Sequence, residues 1–565
     1  MNSNYVNNKY TIEYHPKQKN EERNLVKPGF GDSIDWTQST GSSYNTGWTI
    51  ITGSNESNGG GLGRWLKFTG SSMYTINHNA LATAPGVVHW VSKSEGWRVN
   101  QVLATGTLGT NVGGNNYKVK WADVDGRTLI TSYEGNNELY IFTSRSGGWY
   151  QSQTLNKDSW EGPGDIEPDY NKYSFFNCRI VGDTIFSLGH RLDGSYAYYV
   201  AWWKSSSAEG WKYHDSAMTT DDSSIGAYGS TNASVGLSSC NIDFDGSRAI
   251  AGSKIYSGGG AGNHSSGRLF VFESSSASGW YLDEQLTLSN LGRNSDSGSF
   301  AAWNNTYNQE YKLYSHWSYL SSVMSGNYIA ASGIGRKIVD SSSDYPYMYR
   351  KVKNAIFILK SGSSGWEIEQ KIKDPSGRSE SASWSAGSLD AHLDDSDFGL
   401  GMAFSPDTGD LIVSSPAYNS KFGPEYYYEG RVYIYSSASS TGWTLKQTIE
   451  NPYSGSVFHA NNIGGWHFGG HSTHPEGGFT HEGCKPAASG SLIAIGAPRW
   501  ESHPAEGSPG YTSIDGAIVL LSGSTPVQPK TIEAVPFRFL SNGPYNLRKQ
   551  DQSSNHRSFR GKIYV

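Results

Sequence analysis

Residues 397–450 read DFGLGMAFSPDTGDLIVSSPAYNSKFGPEYYYEGRVYIYSSASSTGWTLKQTIE. Four short apolar runs are visible, at Leu400–Phe404, Asp410–Ser414, Val432–Tyr435 and Trp443–Ile449. The first ends at a Pro-Asp-Thr-Gly turn, Pro416 closes the second, and Gly430 opens the third. Runs of this length, rich in β-branched and aromatic residues and bounded by Gly, Pro, Asp and Ser, are antiparallel strands rather than helices. Four strands joined in series make one blade of a β-propeller, and the stretch is read as such.

The rest of the chain repeats this unit. A Gly-Trp pair recurs at Trp97, Trp149, Trp211, Trp280, Trp366 and Trp443, at intervals of 52, 62, 69, 86 and 77 residues. A strand of alternating large residues precedes each pair: VVHWV, LYIFT, YVAWW, LFVFE, AIFIL and VYIYS. After most pairs comes a polar strand, as in VNQVL, YQSQTL, EIEQKI and TLKQTI. Earlier in most units lies a hairpin, for example DVDGRTLITS, DFDGSRAIAGS and SGSLIAIGAP; the first unit's second strand is placed at ALATAP, 80–85. One supersecondary unit recurring at irregular but bounded spacing is the mark of a repeat fold with inserted loops.

Counting units decides the closure. Six end at the six tryptophans, and a seventh starts near Cys484 and supplies SGSLIAIGAP and AIVLLS without a Gly-Trp strand of its own. That strand stands at the other end of the chain, as Gly47-Trp48-Thr49-Ile50-Ile51-Thr52. The expected fold is all-β: a seven-bladed propeller over 44–525, closed by an N-terminal strand, with arms at 1–43 and 526–565. Closing the ring in this way removes open sheet edges. Trp48, Trp97, Trp149, Trp211, Trp280, Trp366 and Trp443 are its expected structural anchors. Each indole buries about 150–250 Å², roughly 4–6 kcal/mol gross at about 25 cal/mol per Å².

Composition agrees. The chain has 565 residues, with 68 Gly, 36 Tyr and 19 Trp, and 36% hydrophobic residues, which suits strands that bury alternate side chains. A formal charge of −6 gives no global reason to expect nucleic acid. Three cysteines exclude a full disulfide framework. Cys178, Cys240 and Cys484 each stand four to six residues before a turn glycine, which predicts one inward-facing, inert position on the first strand of three blades. The N-terminal residues lack the apolar core of a secretory signal, and no run is long enough to span a bilayer as a helix.

Phe398-Gly399 followed by Leu411-Ile412-Val413, Pro416 and then Gly430-Arg-Val-Tyr-Ile-Tyr resembles the FG-GAP repeat of integrin-α-type propellers. So does Leu492–Pro498 followed by Gly516-Ala-Ile-Val. That resemblance implies a propeller and, in many family members, a DxDxDG loop that binds Ca²⁺. Here the turns are shorter: Asp123-Val-Asp125-Gly126, Asp243-Phe-Asp245-Gly246 and Asp407-Thr-Gly409-Asp410. Two carboxylates fall short of the six to eight oxygens Ca²⁺ takes, so these aspartates are expected to accept backbone hydrogen bonds within their own turns.

Three sets of residues are candidates for a site. His467, His471, His474 and His481 lie in a long insertion between units six and seven, where Zn²⁺ is the alternative to a polar surface loop. Tyr307, Tyr311, Tyr314, Trp317, Tyr345, Tyr347, Tyr349, Tyr426, Tyr427 and Tyr428 crowd other insertions as candidate interface or sugar-stacking rings. Arg538, Arg548, Lys549, Arg557 and Arg560, with Lys530 and Lys562 and against only Glu533 and Asp551, make the tail from 526 onward carry +5 against −11 for the remainder, a candidate docking arm.

No GxSxG elbow, P-loop or CxxC is present. The expected function is structural or interactive and non-enzymatic, with no required cofactor. By analogy it is a virion component of a tailed phage (tail, fibre, neck or capsid decoration), joined to other virion proteins through its arms and to a host glycan or protein. A lectin-like propeller at a cell surface and a hydrolase or lyase acting in the central channel are the alternatives.

Overall fold

The computed structural model describes residues 10–16, 47–53, 63, 65–77, 86–93, 96–103, 119–133, 138–155, 173–191, 198–218, 242–253, 268–276, 279–286, 311–312, 322–338, 349–375, 398–399, 401–415, 430–450, 485–497 and 517–522. Among them there is no helix. Their strands form seven antiparallel sheets, and in six of these the four main strands pair in chain order. Blade two is typical, with Val119–Asp125 innermost, then Thr128–Tyr133, Leu139–Arg145 and Gly148–Leu155 outermost. In blade one the second strand is Ser72–Asn77, entered by the Gly70-Ser71 turn. The expected 80–85 lies outside the described residues.

Blade seven is assembled from both ends of the chain. Ala487–Ser489, Leu492–Ala497 and Ala517–Ser522 come from the C-terminal part. Gly47–Gly53 pairs on the outside, with Trp48 opposite Leu521 and Ile50 opposite Val519. Tyr10–Pro16, within the expected N-terminal arm, adds a further strand beyond it.

The sheets close into a ring because both faces of each are apolar. Seven buried clusters exist among the described residues, one at every seam between consecutive blades. The seam between blades seven and one is filled by Ala494, Ile518 and Leu520 against Leu66, Met73 and Trp90. The carbonyl of Gly63 crosses so close to Gly496 that no Cβ would fit there.

The Gly-Trp pairs belong to the seams. Trp97, Trp149, Trp211, Trp280, Trp366 and Trp443 are all buried, each packed against the preceding blade. Three residues past each of these tryptophans the outer strand carries a β-bulge, at Asn100, Ser152, His214, Asp283, Glu369 and Lys446. A bulge re-aims the residues that follow it. The fourth residue past the tryptophan then reaches the next blade. Gln101 receives the Trp149 N–H at 2.8 Å and donates to the Trp149 carbonyl at 2.8 Å. Gln153 does the same for Trp211 (2.9 and 2.7 Å), and Gln370 for Trp443 (2.7 Å each). At the seam between blades four and five Glu284 stands in the same place and accepts from Trp366 N–H at 3.5 Å.

This clasp explains the glycine before Trp149, Trp211 and Trp443. Gly148 has φ +120, and an added Cβ would lie 2.7 Å from the Gln101 oxygen; Gly442 has φ +67 and faces Gln370 in the same way. Both the left-handed backbone and the carboxamide lying on Cα demand a residue without a side chain.

The connections divide between the two faces of the disc. Turns between first and second strands, and between third and fourth, leave one face and span two to six residues. The other connections within and between blades leave the opposite face and span five to 36 residues, the longest between Glu450 and Ala487; the connection 17–46 instead joins strand ends, Pro16 and Gly47, that lie on the short-turn face. Blade five extends furthest toward that face. Its strands Tyr328–Ile338 and Tyr349–Gly362 continue past the length seen in blade four, and Tyr311–Lys312 pairs on their side.

Candidate functional site

Five described charged residues converge where the inner strands approach the ring axis. Three positions before the turn glycines Gly70, Gly126, Gly182 and Gly246 stand Lys67, Asp123, Arg179 and Asp243, alternating in sign around four consecutive blades. Lys67 Nζ lies 2.7 Å from Asp123 Oδ1, and Arg179 Nε lies 3.5 Å from Asp243 Oδ1. The aspartates also bind forward to the next blade: Ile180 N–H donates to Asp123 at 2.9 Å, and Met324 N–H to Asp243 at 3.0 Å. Lys485 of blade seven reaches across to Asp243 of blade four at 3.2 Å. The axis is therefore bridged at this level rather than open.

Burial and charge set the protonation states. Burial pushes the Asp243 carboxyl up, but Lys485, Arg179 and the Met324 N–H together outweigh it and hold the group below its usual range. Burial pulls the Lys485 ammonium down to about 8, with Asp243 opposing. Asp243 is thus an ionised acceptor engaged by two cations and a backbone amide, and Asp123 is engaged by Lys67 and the Ile180 N–H. Three cations against two carboxylates leave the five groups at +1.

The axial cluster contains unpaired polarity. Arg179 is 4% exposed; its Nη1 donates to Asn177 Oδ1 at 3.3 Å and to the Cys178 carbonyl at 3.1 Å, while Nη2 is buried without a partner. Its guanidinium carbon sits 5.9 Å from the centroid of the Trp121 ring, and Trp121 Nε1 is also buried without a partner. Ser132, directly opposite Trp121 in the sheet, has a third unpartnered buried atom, its Oγ. A buried donor with no acceptor costs roughly 1–3 kcal/mol, so three in one neighbourhood is an arrangement that needs a reason.

The turn aspartates do more than was expected of them. Asp245 does accept from its own turn, from Ser247 N–H at 2.9 Å and Arg248 N–H at 2.7 Å. Asp123, Asp125, Asp243 and Asp407 instead accept from the backbone of the following blade, at Ile180, Gly182, Met324 and Gly490. Turn aspartates at these positions are inter-blade ties. Among the described residues no group of three or more His, Cys, Asp or Glu side chains is arranged to hold a metal ion.

Of the cysteines, Cys178 is buried and unpaired on blade three's inner strand, its thiol pushed far up by burial first and by Asp123 second. Cys240 and Cys484 lie outside the described residues, as do His467, His471, His474, His481, Tyr307, Tyr314, Trp317, Tyr345, Tyr347, Tyr426, Tyr427, Tyr428, Trp48's side chain and the whole tail with Arg538, Arg548, Lys549, Arg557 and Arg560. Tyr311 and Tyr349 are strand residues of the blade-five extension, opposite Gly335 and Ile338. That extension also carries Lys312, Arg336, Lys337, Arg350, Lys351 and Lys353, with Lys337 directly opposite Lys351. The tyrosines carry the aromatic signal of these insertions in the sequence, whereas the six cations are spread over three strands and form no local motif.

No protein-family model and no curated protein sequence matches the chain. Among solved structures it is similar to a protein from Lactobacillus plantarum, at TM-score 0.40 and 9% identity over 79% of this chain and 98% of that one. It is similar to the Cps50 (Swd1) β-propeller domain of Myceliophteria thermophila at TM-score 0.36 and 11% identity, over 82% and 96%. A putative 6-phosphogluconolactonase from Bacteroides uniformis gives TM-score 0.37 and 11% identity, over 73% and 94%.

Proposed function

We propose that the chain is a structural or interaction protein that presents a partner-binding face on a rigid disc. The observation that carries this reading is the unequal division of the connections within and between the seven blades: two to six residues on one face, five to 36 on the other. A scaffold that tolerates long insertions at one set of strand ends, and short turns at the other, is built to present loops. Inter-blade clasps and seven apolar seams supply the rigidity that such a platform needs. Every insertion with candidate aromatic or histidine residues starts and ends at strand termini on that long-connection face.

Blade five suggests the sign of the partner. Like charges directly opposite one another destabilise a strand pair, and Lys337 faces Lys351 in register on an extension with six cations at its strand positions. A partner with an acidic surface relieves that repulsion. The finer reading keeps the tailed-phage particle as the setting, with the tail from residue 526 as a second attachment. Mass spectrometry of purified particles from the organism carrying the gene tests it. The chain should be present in stoichiometric amount; a particle proteome without it, alongside soluble chain in the same lysate, sinks that setting. Saturable binding on a glycan array would favour the lectin reading instead.

A further inference from the structure

We infer that the inner edge of blades two and three is a binding site for a small free carboxylate, held by Arg179 and Trp121. The inference is independent of the loop face and of any particle. It starts from three unpartnered buried polar atoms, Arg179 Nη2, Trp121 Nε1 and Ser132 Oγ. Two of the three can only donate. The guanidinium lies 5.9 Å from the indole centroid, and Ser132 is the strand partner of Trp121, so all three belong to one neighbourhood. What these groups lack is an acceptor. A carboxylate offers two oxygens with about four lone-pair sites, enough to take the guanidinium N–H, the indole N–H and the hydroxyl together.

Charge points the same way. The five axial groups Lys67, Asp123, Arg179, Asp243 and Lys485 sum to +1, and one bound monoanion brings the cluster to neutrality. The existing carboxylates do not fill the role: Asp123 is engaged by Lys67 and Ile180 N–H, and Asp243 by Lys485, Met324 N–H and the Nε side of Arg179. Access is from the axis, where Trp121 is only partly buried and Lys485 and Lys67 are 21% and 37% exposed along their side chains. Size follows from the same surroundings: the seam behind Trp121 is packed with Ile130, Ile141 and Cys178, and the three polar atoms are themselves closed to solvent, so only the smallest carboxylates, formate and acetate, are candidates.

The test is calorimetric titration of formate and of acetate into the full-length chain at fixed ionic strength, with chloride and methylammonium as comparisons. Wild type should bind a carboxylate saturably. Trp121→Phe keeps the ring and removes only the N–H, and should weaken binding about 10-fold, the loss of one hydrogen bond of about 1.4 kcal/mol. Arg179→Met should abolish it. Arg179→Met leaves Asp243 still paired with Lys485, but circular dichroism must show it folded; if it does not fold, the Trp121→Phe comparison decides alone. No saturable carboxylate binding by wild type, chloride binding without carboxylate binding, or unchanged affinity in folded Trp121→Phe would each overturn the site.

Discussion

His89 shows how one side chain can set the acid limit of the fold. It stacks on Tyr74 with centroids 4.7 Å apart, and its Nε2 lies 3.0 Å from Ser72 Oγ. Asn100 donates to Nδ1 at 3.2 Å, which assigns the proton to Nε2. Burial pulls its pKa down to about 4. The unfolded chain, with a histidine near 6.5, binds the proton first as pH falls. Stability is therefore fully present above about 6.5 and is lost as pH drops toward 4, by roughly 3 kcal/mol from this group. Thermal melts of wild type and His89→Gln at pH 7 and pH 4.5 check this: the variant should lose less over that interval, and equal losses would remove His89 from the account. At Gly496 the limit is steric. Gly496→Ala must push the Gly63 backbone away and should lower the melting midpoint more than Gly490→Ala, whose added Cβ meets nothing within 4 Å although its φ is +56.

At the scale of the element, the outer strand is the working unit, because its tryptophan, bulge and carboxamide act together on the neighbouring sheet. Gln153→Ala leaves the Trp211 N–H and carbonyl without their partner and should cost about 1–3 kcal/mol. Glu284 is a natural variant of the clasp. A carboxylate can accept from Trp366 N–H but has no hydrogen to return to the carbonyl, and its bond is the longest of the series. Burial first, and Asp283 as well, push its pKa up, with the Trp366 N–H pulling the other way. A folded-state pKa above the unfolded one means that this seam strengthens as pH falls through the carboxylate range. Glu284→Gln should raise stability at pH 7 by about 1 kcal/mol and flatten that pH response. Denaturant melts of the two proteins at pH 7 and pH 5 decide it; a Gln variant no more stable at pH 7 would mean that the clasp adds nothing at this seam.

Much of the element scale was legible in the sequence. The Gly-Trp spacing located the outer strands, and the alternating runs located their partners. The glutamines were in plain sight in VNQVL, YQSQTL, EIEQKI and TLKQTI, but their partners lie in the next unit, so no local pattern assigns them a role. The sign alternation of Lys67, Asp123, Arg179 and Asp243 becomes visible only when units are aligned on the turn glycine. Blade one was misjudged because ALATAP is the smoother apolar run, whereas SMYTIN, with polar ends, is the one tied to the two-residue Gly70-Ser71 turn. The orphaned donors around Trp121 are a three-dimensional fact with no sequence signal, since Trp121, Ser132 and Arg179 belong to three different strands.

For the whole molecule, closure matters most. Among the described residues seven seams carry seven apolar clusters, and the last blade gains its outer strand only because residues 47–52 pair with 517–522. Trp48→Ala should therefore lower the melting midpoint of the entire ring, and by more than an alanine at Tyr314 or Trp317. Gln447 stands at the clasp position facing this strand and should share in that effect.

The pairing itself can be caught directly. With the native cysteines replaced by serine or alanine, Ile50→Cys and Val519→Cys place two thiols at directly opposed positions of the closing strands. Mild oxidation followed by peptide mass spectrometry should recover the N-terminal and C-terminal peptides joined by a disulfide. The control pair of Ile50→Cys with Tyr281→Cys, on the outer strand of blade four, should give none. A 50–519 link no more abundant than the control would contradict a ring closed by its own N-terminal strand.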